Sequence, residues 1–114
     1  MIETKNAKIT NVELSNDDHG VLSGWVYLDY GGSGQGFGGY NLYNPNYKKT
    51  DKNIAGHFIW RVMEIVGVHK WSDLKGKNIR VQCDMSHVEA IGNIIEDIWF
   101  YPQKEFEEII GKNQ

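Results

Sequence analysis

A chain of 114 residues, 40% hydrophobic and 24% charged, has the composition of one globular domain able to bury roughly 65% of the surface its unfolded form exposes. No stretch approaches the ~20 apolar residues that span a bilayer, and a net charge of −3 speaks against a general binder of DNA or RNA polymers, which is normally basic. The lone Cys83 can form no internal disulfide and Met1–Lys5 lacks the apolar core of a signal peptide, both as expected for a reducing cytoplasm.

Taken in order, Lys8–Leu14 reads as a first strand and Ser15–Gly20 as a turn. Leu22, Val26, Leu28 and Tyr30 then share one face of a strand at period two, with Trp25 and Tyr27 on the other. Gly31–Tyr40 follows, and six of its first nine residues are glycine. Glycine loses more backbone freedom on folding than any other residue, so this density implies an unusual backbone or a close approach by something else. With Phe37, Tyr40 and Tyr43 in and just after it, the stretch is unlike a flexible Gly/Ser linker. It reads as an ordered corner between strands whose amides face a ligand or a partner chain, with Gly38–Tyr43 continuing as a strand. Asn44–Lys52 is a polar, breaker-rich loop.

Asn53 is placed to cap a helix on which Ile54, Phe58, Val62 and Ile65 recur at helical spacing. Gly67 ends it, with Val68 set for the apolar contact that follows a glycine C-cap. Ser72 is expected to cap one further turn through Leu74. Ile79, Val81 and Cys83 form the next strand, Met85–His87 a hairpin connection, and Val88–Ile95 its antiparallel return. Ile98–Tyr101 is a short aromatic strand, and Pro102 opens a C-terminal helix with Phe106, Ile109 and Ile110 as its apolar stripe. The chain therefore reads as a single α+β domain over residues 1–114, an antiparallel sheet with one central helix and a C-terminal helix.

Charge is unevenly placed: Lys48–Arg80 carries a local balance of +5 and the chain from Cys83 onward a balance of −5. Solvated faces explain this, as does a basic segment aimed at an anion. Gly34–Gly39 formally fits G-x-G-x-x-G, but no helix follows it, as a dinucleotide site requires. Exposed glycine amides can still cradle a phosphate as a backbone nest does; packing or oligomerisation alone also accounts for such a corner. His19, His57, His69 and His87 form no ligand pair, and Cys83 sits at an inward strand position. Asp29 suits a hydrogen bond to the loop amides better than general-base work, and no nucleophile–base–orienter set is present, so no metal, cofactor or catalytic residue is expected. His57, Arg61 and Glu64 share one helix face; Arg61 with Glu64 forms an i,i+3 ion pair or, beside the glycine corner, Arg61 and His57 supply donors to a phosphate.

The run Asp29–Tyr40, together with Trp71–Lys77, Ala90–Ile95 and Trp99–Phe100 in that order, resembles the first described family of phage Thoeris anti-defence proteins, over about Asn6 to Phe106. The resemblance implies a sponge that works in the host cytoplasm. It would bind cyclic ADP-ribose-type immune signals, and in some members cyclic oligonucleotides at a separate site, without cleaving them, as a homo-oligomer (dimer or hexamer). Carried onto this chain, the implied contacts are Gly36, Phe37, Gly38, Gly39, His57, Arg61, Arg80 and Asn93. Phe37, Trp99 and Phe100 are the rings expected to stack on a base. The rival is a phage inhibitor that binds a host defence protein directly, which the acidic C-terminal half favours. If the amides near residue 36 lie open, Gly38→Val should abolish binding and spare the fold.

Overall fold

The computed structural model describes residues 2–17, 19–45 and 54–110. Its element order is β1 (Glu3–Ser15), β2 (Ser23–Asp29), β3 (Gly34–Gly38), α1 (Ile54–Val66), a 3-10 turn at Trp71–Asp73, β4 (Asn78–Cys83), β5 (Val88–Gly92), β6 (Trp99–Phe100) and α2 (Pro102–Ile110). The strands make one six-stranded sheet in the order β3-β2-β1-β4-β5-β6, with every neighbouring pair antiparallel. This is the α+β architecture expected from the order of periodic segments.

Strand β1 is the spine of the sheet. Its first half pairs with β4 and its second half with β2, and Lys8 has a partner on each side, Asn78 and Asp29. The register slips between Ile9 and Asn11, so one residue of β1 is unmatched there and the inward parity changes. Ala7 and Ile9 are buried before the slip, whereas Val12 packs on the core after it. Such a bulge also sharpens the twist, and the sheet curls until β3 lies near β5. Gln35 Nε2 then donates across to the carbonyl of Asp84 at 3.0 Å.

Helix α1 covers the inner face with Ile54, Phe58, Val62 and Ile65, the four positions its spacing picks out. Gly67, at φ 90°, ends it: the Gly67 and Val68 amides both donate to Met63 O, at 2.8 and 3.1 Å, the closure expected of a left-handed C-cap. Phe37, Phe58 and Phe100 meet at the centre with centroids 5.9–6.0 Å apart. α2 adds Phe106, whose ring stands edge-on to Tyr40 at 5.5 Å.

Several local expectations are corrected. β1 begins earlier and β5 stops at Gly92, because the Asn93 side chain folds back to accept from the Ile95 and Glu96 amides, each at 2.9 Å. The chain after Gly38 is not a strand; only Tyr43 bridges to Leu22. Ser72 lies inside the 3-10 turn, which starts from Lys70 without a side-chain cap. The Asn53 cap and the loop positions 46–52 fall outside the described residues. The β4–β5 connection is a tight turn as expected. Asp84 Oδ1 accepts from the Ser86 hydroxyl and from the Ser86 and His87 amides at 2.7–3.0 Å, and these bonds hold its carboxyl far below the usual carboxylate range.

Candidate functional site

The glycine corner is an ordered turn into β3. Asp29 Oδ1 accepts from the Gly31 amide at 2.9 Å, the role its position suggested, and Tyr30 N donates to Ser33 O at 2.8 Å. Past the turn the backbone is not bare. A Cβ on Gly36 would lie 2.8 Å from the Trp25 ring, and one on Gly39 only 2.4 Å from it. A Cβ on Gly38, whose φ is 128°, would meet Gly24 O at 2.1 Å. The Trp25 indole, stacked on Tyr27 at 6.1 Å, therefore lies over the stretch, and the Gly39 amide donates to Gly24 O at 2.8 Å. These glycines are required for close packing within the chain on the side where a Cβ would point, the packing role the sequence also allowed, while Gly39 itself stays exposed. Phe37 and Phe100 are corrected as stacking platforms: both rings are 0% exposed.

The remaining candidates do come together, at the other end of the sheet, but around a residue the sequence did not single out. Glu105, in the first turn of α2, has Oε1 2.7 Å from His57 Nε2 and 3.0 Å from Arg61 Nε. Arg61 is heavily engaged, with Nη1 also donating to Glu64 Oε1 at 2.6 Å and Nη2 to Trp99 O at 2.7 Å. Arg80 lies 4.8 Å from the Trp99 ring centre, with Nε on Asn93 O at 2.7 Å and Nη2 on Glu96 O at 2.8 Å. Asn93 Nδ2 closes the circuit on Ile65 O at 2.7 Å. His57, Arg61, Arg80, Asn93 and Trp99 thus clamp α1, α2 and the β5–β6 loop to one another. The ion pair of Arg61 with Glu64 is the plainer of the two readings, and it is present. The one hint of Glu105 in the sequence is its place in an N-terminal helical turn, where a carboxylate is favoured.

Removing one partner of a half-buried ion pair strands the other. Arg61→Ala is therefore expected to lower stability by about 2–3 kcal/mol, less than for a fully buried pair because its side chain is 21% exposed. Thermal denaturation followed by circular dichroism checks this: Tm should fall by roughly 10 °C, and a change under 2 °C would contradict the clamp.

A concave site that does reach solvent opens where the glycine strand ends. Tyr40, Tyr101, His87, Gln103, Lys104, Glu89 and Glu107 line a cavity of about 250 Å³. Tyr40 forms its inner wall; burial, then the Glu89 carboxylate, pushes its phenol up, further above an ordinary value at which it already keeps its proton at neutral pH. The Tyr101 hydroxyl is spent on Gln82 Oε1 at 2.7 Å, which fixes the ring. Among the described residues, Lys104, Glu89 and Glu107 have no ion pair. The cavity thus combines aromatic faces, a lysine and an imidazole for an anion, and carboxylates for hydroxyl or amino groups. Of its lining only Tyr40 was singled out in the sequence; the rest comes from the hairpin turn, β5, Tyr101 and α2, segments remote from one another in the chain.

Among the described residues no group of three or more His, Cys, Asp or Glu side chains is placed to hold a metal ion, and no helix is long and apolar enough to cross a membrane. No protein-family model, no curated protein and no solved structure matches this chain.

Proposed function

We propose that this protein is a phage anti-defence sponge that captures a cyclic ADP-ribose-type nucleotide in the host cytoplasm and holds it uncleaved. The observation that carries the reading is the cavity beside the glycine strand. Its Tyr40 and Tyr101 rings suit a base, Lys104 and His87 suit phosphates, and Glu89 and Glu107 suit ribose hydroxyls. At about 250 Å³ it falls under the roughly 300–1,000 Å³ of small-molecule pockets. One protomer therefore grips part of such a ligand, and a homo-oligomer, dimer or hexamer, supplies the remaining wall. Tight capture calls for about −12 kcal/mol at nanomolar affinity, which a single open protomer does not offer.

The test is capture and release. The protein is incubated with cyclic ADP-ribose isomers, desalted, heat-denatured, and the supernatant analysed by mass spectrometry. Recovery of the unaltered nucleotide supports a sponge; a converted product identifies an enzyme; an empty supernatant overturns the reading. Lys104→Ala, an exposed substitution, should weaken capture about tenfold or more, the worth of one charge-assisted hydrogen bond of ~1.5–3 kcal/mol, with Tm unchanged. A second reading, direct binding to a host defence protein, is favoured by Met85. That side chain is wholly exposed at the tip of a turn held rigid by Asp84. An empty supernatant combined with loss of a host partner on Met85→Ala would select it.

A further inference from the structure

The turn between β4 and β5 settles what the His87 ring can offer the Tyr40 cavity. Asp84 Oδ1 accepts from the Ser86 hydroxyl at 2.7 Å, so the Ser86 proton is committed and its oxygen is left as an acceptor. That oxygen lies 3.3 Å from His87 Nδ1, and Asp84 Oδ1 lies 3.4 Å from the same nitrogen. Both neighbours of Nδ1 are therefore acceptors. A bare Nδ1 would set its lone pair against an alcohol oxygen and a carboxylate, so in the neutral ring the proton sits on Nδ1. Nε2, on the other edge of the ring, then carries a lone pair and no hydrogen.

His87 lines the cavity, and what it presents there depends on its charge. Neutral, Nε2 is an acceptor and opposes a phosphate oxygen lone pair to lone pair. Protonated, Nε2 donates and brings a positive charge. The charged and titratable groups around it are Asp84 on the turn, Glu89 on β5, Lys104 and Glu107 on α2, and the Tyr40 and Tyr101 phenols. Glu3 of β1 shares a separate shallow concavity with Asp84. Within the cavity Glu89 and Glu107 stand against Lys104, a balance that repels an anion. An imidazolium at His87 cancels the excess negative charge and supplies a second cationic donor. Asp84 stays ionised while this happens: its hydrogen bonds hold its carboxyl far below the usual range, and histidine exchanges its charge between about pH 5 and 8.

We infer that Asp84 is a positioning residue for a pH-gated anion site: with Ser86 it fixes the His87 ring, and the cavity grips phosphate groups when His87 is protonated and loosens when it is not. The inference deepens the reading of this cavity as the nucleotide site and rests on it. The sign follows from the geometry. A protein with neutral His87 must take up a proton to donate to a phosphate, so affinity falls as pH rises through the histidine range. At the higher pH the same nitrogen accepts from a hydroxyl or amino group, and only contacts of the ribose kind remain to it.

The experiment has two readouts, neither of which needs nucleotide. Imidazole nitrogen NMR of the protein at about pH 8 shows which ring nitrogen of neutral His87 bears the hydrogen, and Nδ1 is expected. Inorganic sulfate, whose double charge is constant over this range, is then titrated at about pH 5.5 and about pH 8 and followed at the Lys104 amide. Its dissociation constant should be about tenfold or more lower at the acidic pH, the worth of one charge-assisted hydrogen bond. His87→Lys, at an exposed position and always charged, should bind alike at both with Tm unchanged. Asp84→Asn keeps an oxygen acceptor but loses the charge, and should move the fall in affinity to lower pH. A hydrogen on Nε2, no sulfate binding at either pH, equal wild-type affinity at both, or a pH dependence that survives in His87→Lys overturns the inference. Failure to capture cyclic ADP-ribose with the sulfate behaviour intact would instead remove the nucleotide and leave the gated anion site.

Discussion

Gly38→Val should strip the protein of a large part of its stability, about 2–6 kcal/mol. The position has a φ of 128°, and a Cβ there would lie 2.1 Å from Gly24 O and 3.1 Å from Trp25 Cα, both backbone atoms of the adjoining strand. Neither can swing aside as a side-chain tip would, so β3 must part from β2. Backbone strain of about 1–3 kcal/mol adds to about 1–3 kcal/mol of overpacking, against a total stability of about 5–15 kcal/mol for a domain. Circular dichroism checks it, the expected result being a thermal transition lowered by roughly 10 °C or more. Gly32→Ala is the control: its φ of 132° carries strain, but nothing lies within 4 Å of the added atom, and the cost should be only about 1 kcal/mol. A Gly38→Val variant melting within 5 °C of the wild type would show that the β2–β3 pairing is not as tight as described. The structure thus reverses the expectation of a folded protein that merely fails to bind.

Phe37→Ala should cost about 3–5 kcal/mol, the range for emptying an aromatic core position. The ring is fully buried and stacks on Phe58 at 6.0 Å with an interplanar angle of 14°. Phe100 stands edge-on to it at 6.0 Å and Tyr40 at 6.4 Å. Its removal leaves a void bounded by aromatic rings already held by other neighbours, so little collapse can fill it. Urea denaturation provides the measurement, with the midpoint falling while the m-value stays near that of the wild type. Met85→Ala, at a fully exposed side chain, should move the midpoint very little. A Phe37→Ala loss below 1 kcal/mol would mean that this ring packs at a surface after all, as a ligand platform would.

Both results bear on why the corner between Asp29 and Tyr40 was legible as special yet not as to its purpose. Glycine density announces a close approach, and the approach is real. What approaches is the same chain: the Trp25 ring at Gly36 and Gly39, and the Leu28 and Gly24 carbonyls at Gly34 and Gly38. A covering ring from the neighbouring strand and a ligand base impose the same demand on a backbone. Composition cannot distinguish them, because both require the absence of a Cβ.

Features that rest on period and on neighbours within a few positions could be read directly from the residues. Val26 with Leu28, and Ile79 with Val81 and Cys83, alternate because one face of each strand must be dry, and all are buried. Ile54, Phe58, Val62 and Ile65 line α1 for the same reason at helical spacing. Gly67 stops that helix and Pro102 starts α2 through backbone preferences local to each residue. Which polar groups remain available to a guest emerged only once the chain was folded. Arg61 is consumed by Glu105 and Trp99, which lie 44 and 38 residues further along, and Asn93 by Ile65, 28 residues back. The unmatched position in β1 near Thr10, which changes the inward parity, likewise exists only against the register of β2. A donor's freedom depends on which partners the folded sheet and helices deliver to it, and those partners are distant in sequence because antiparallel pairing joins remote segments.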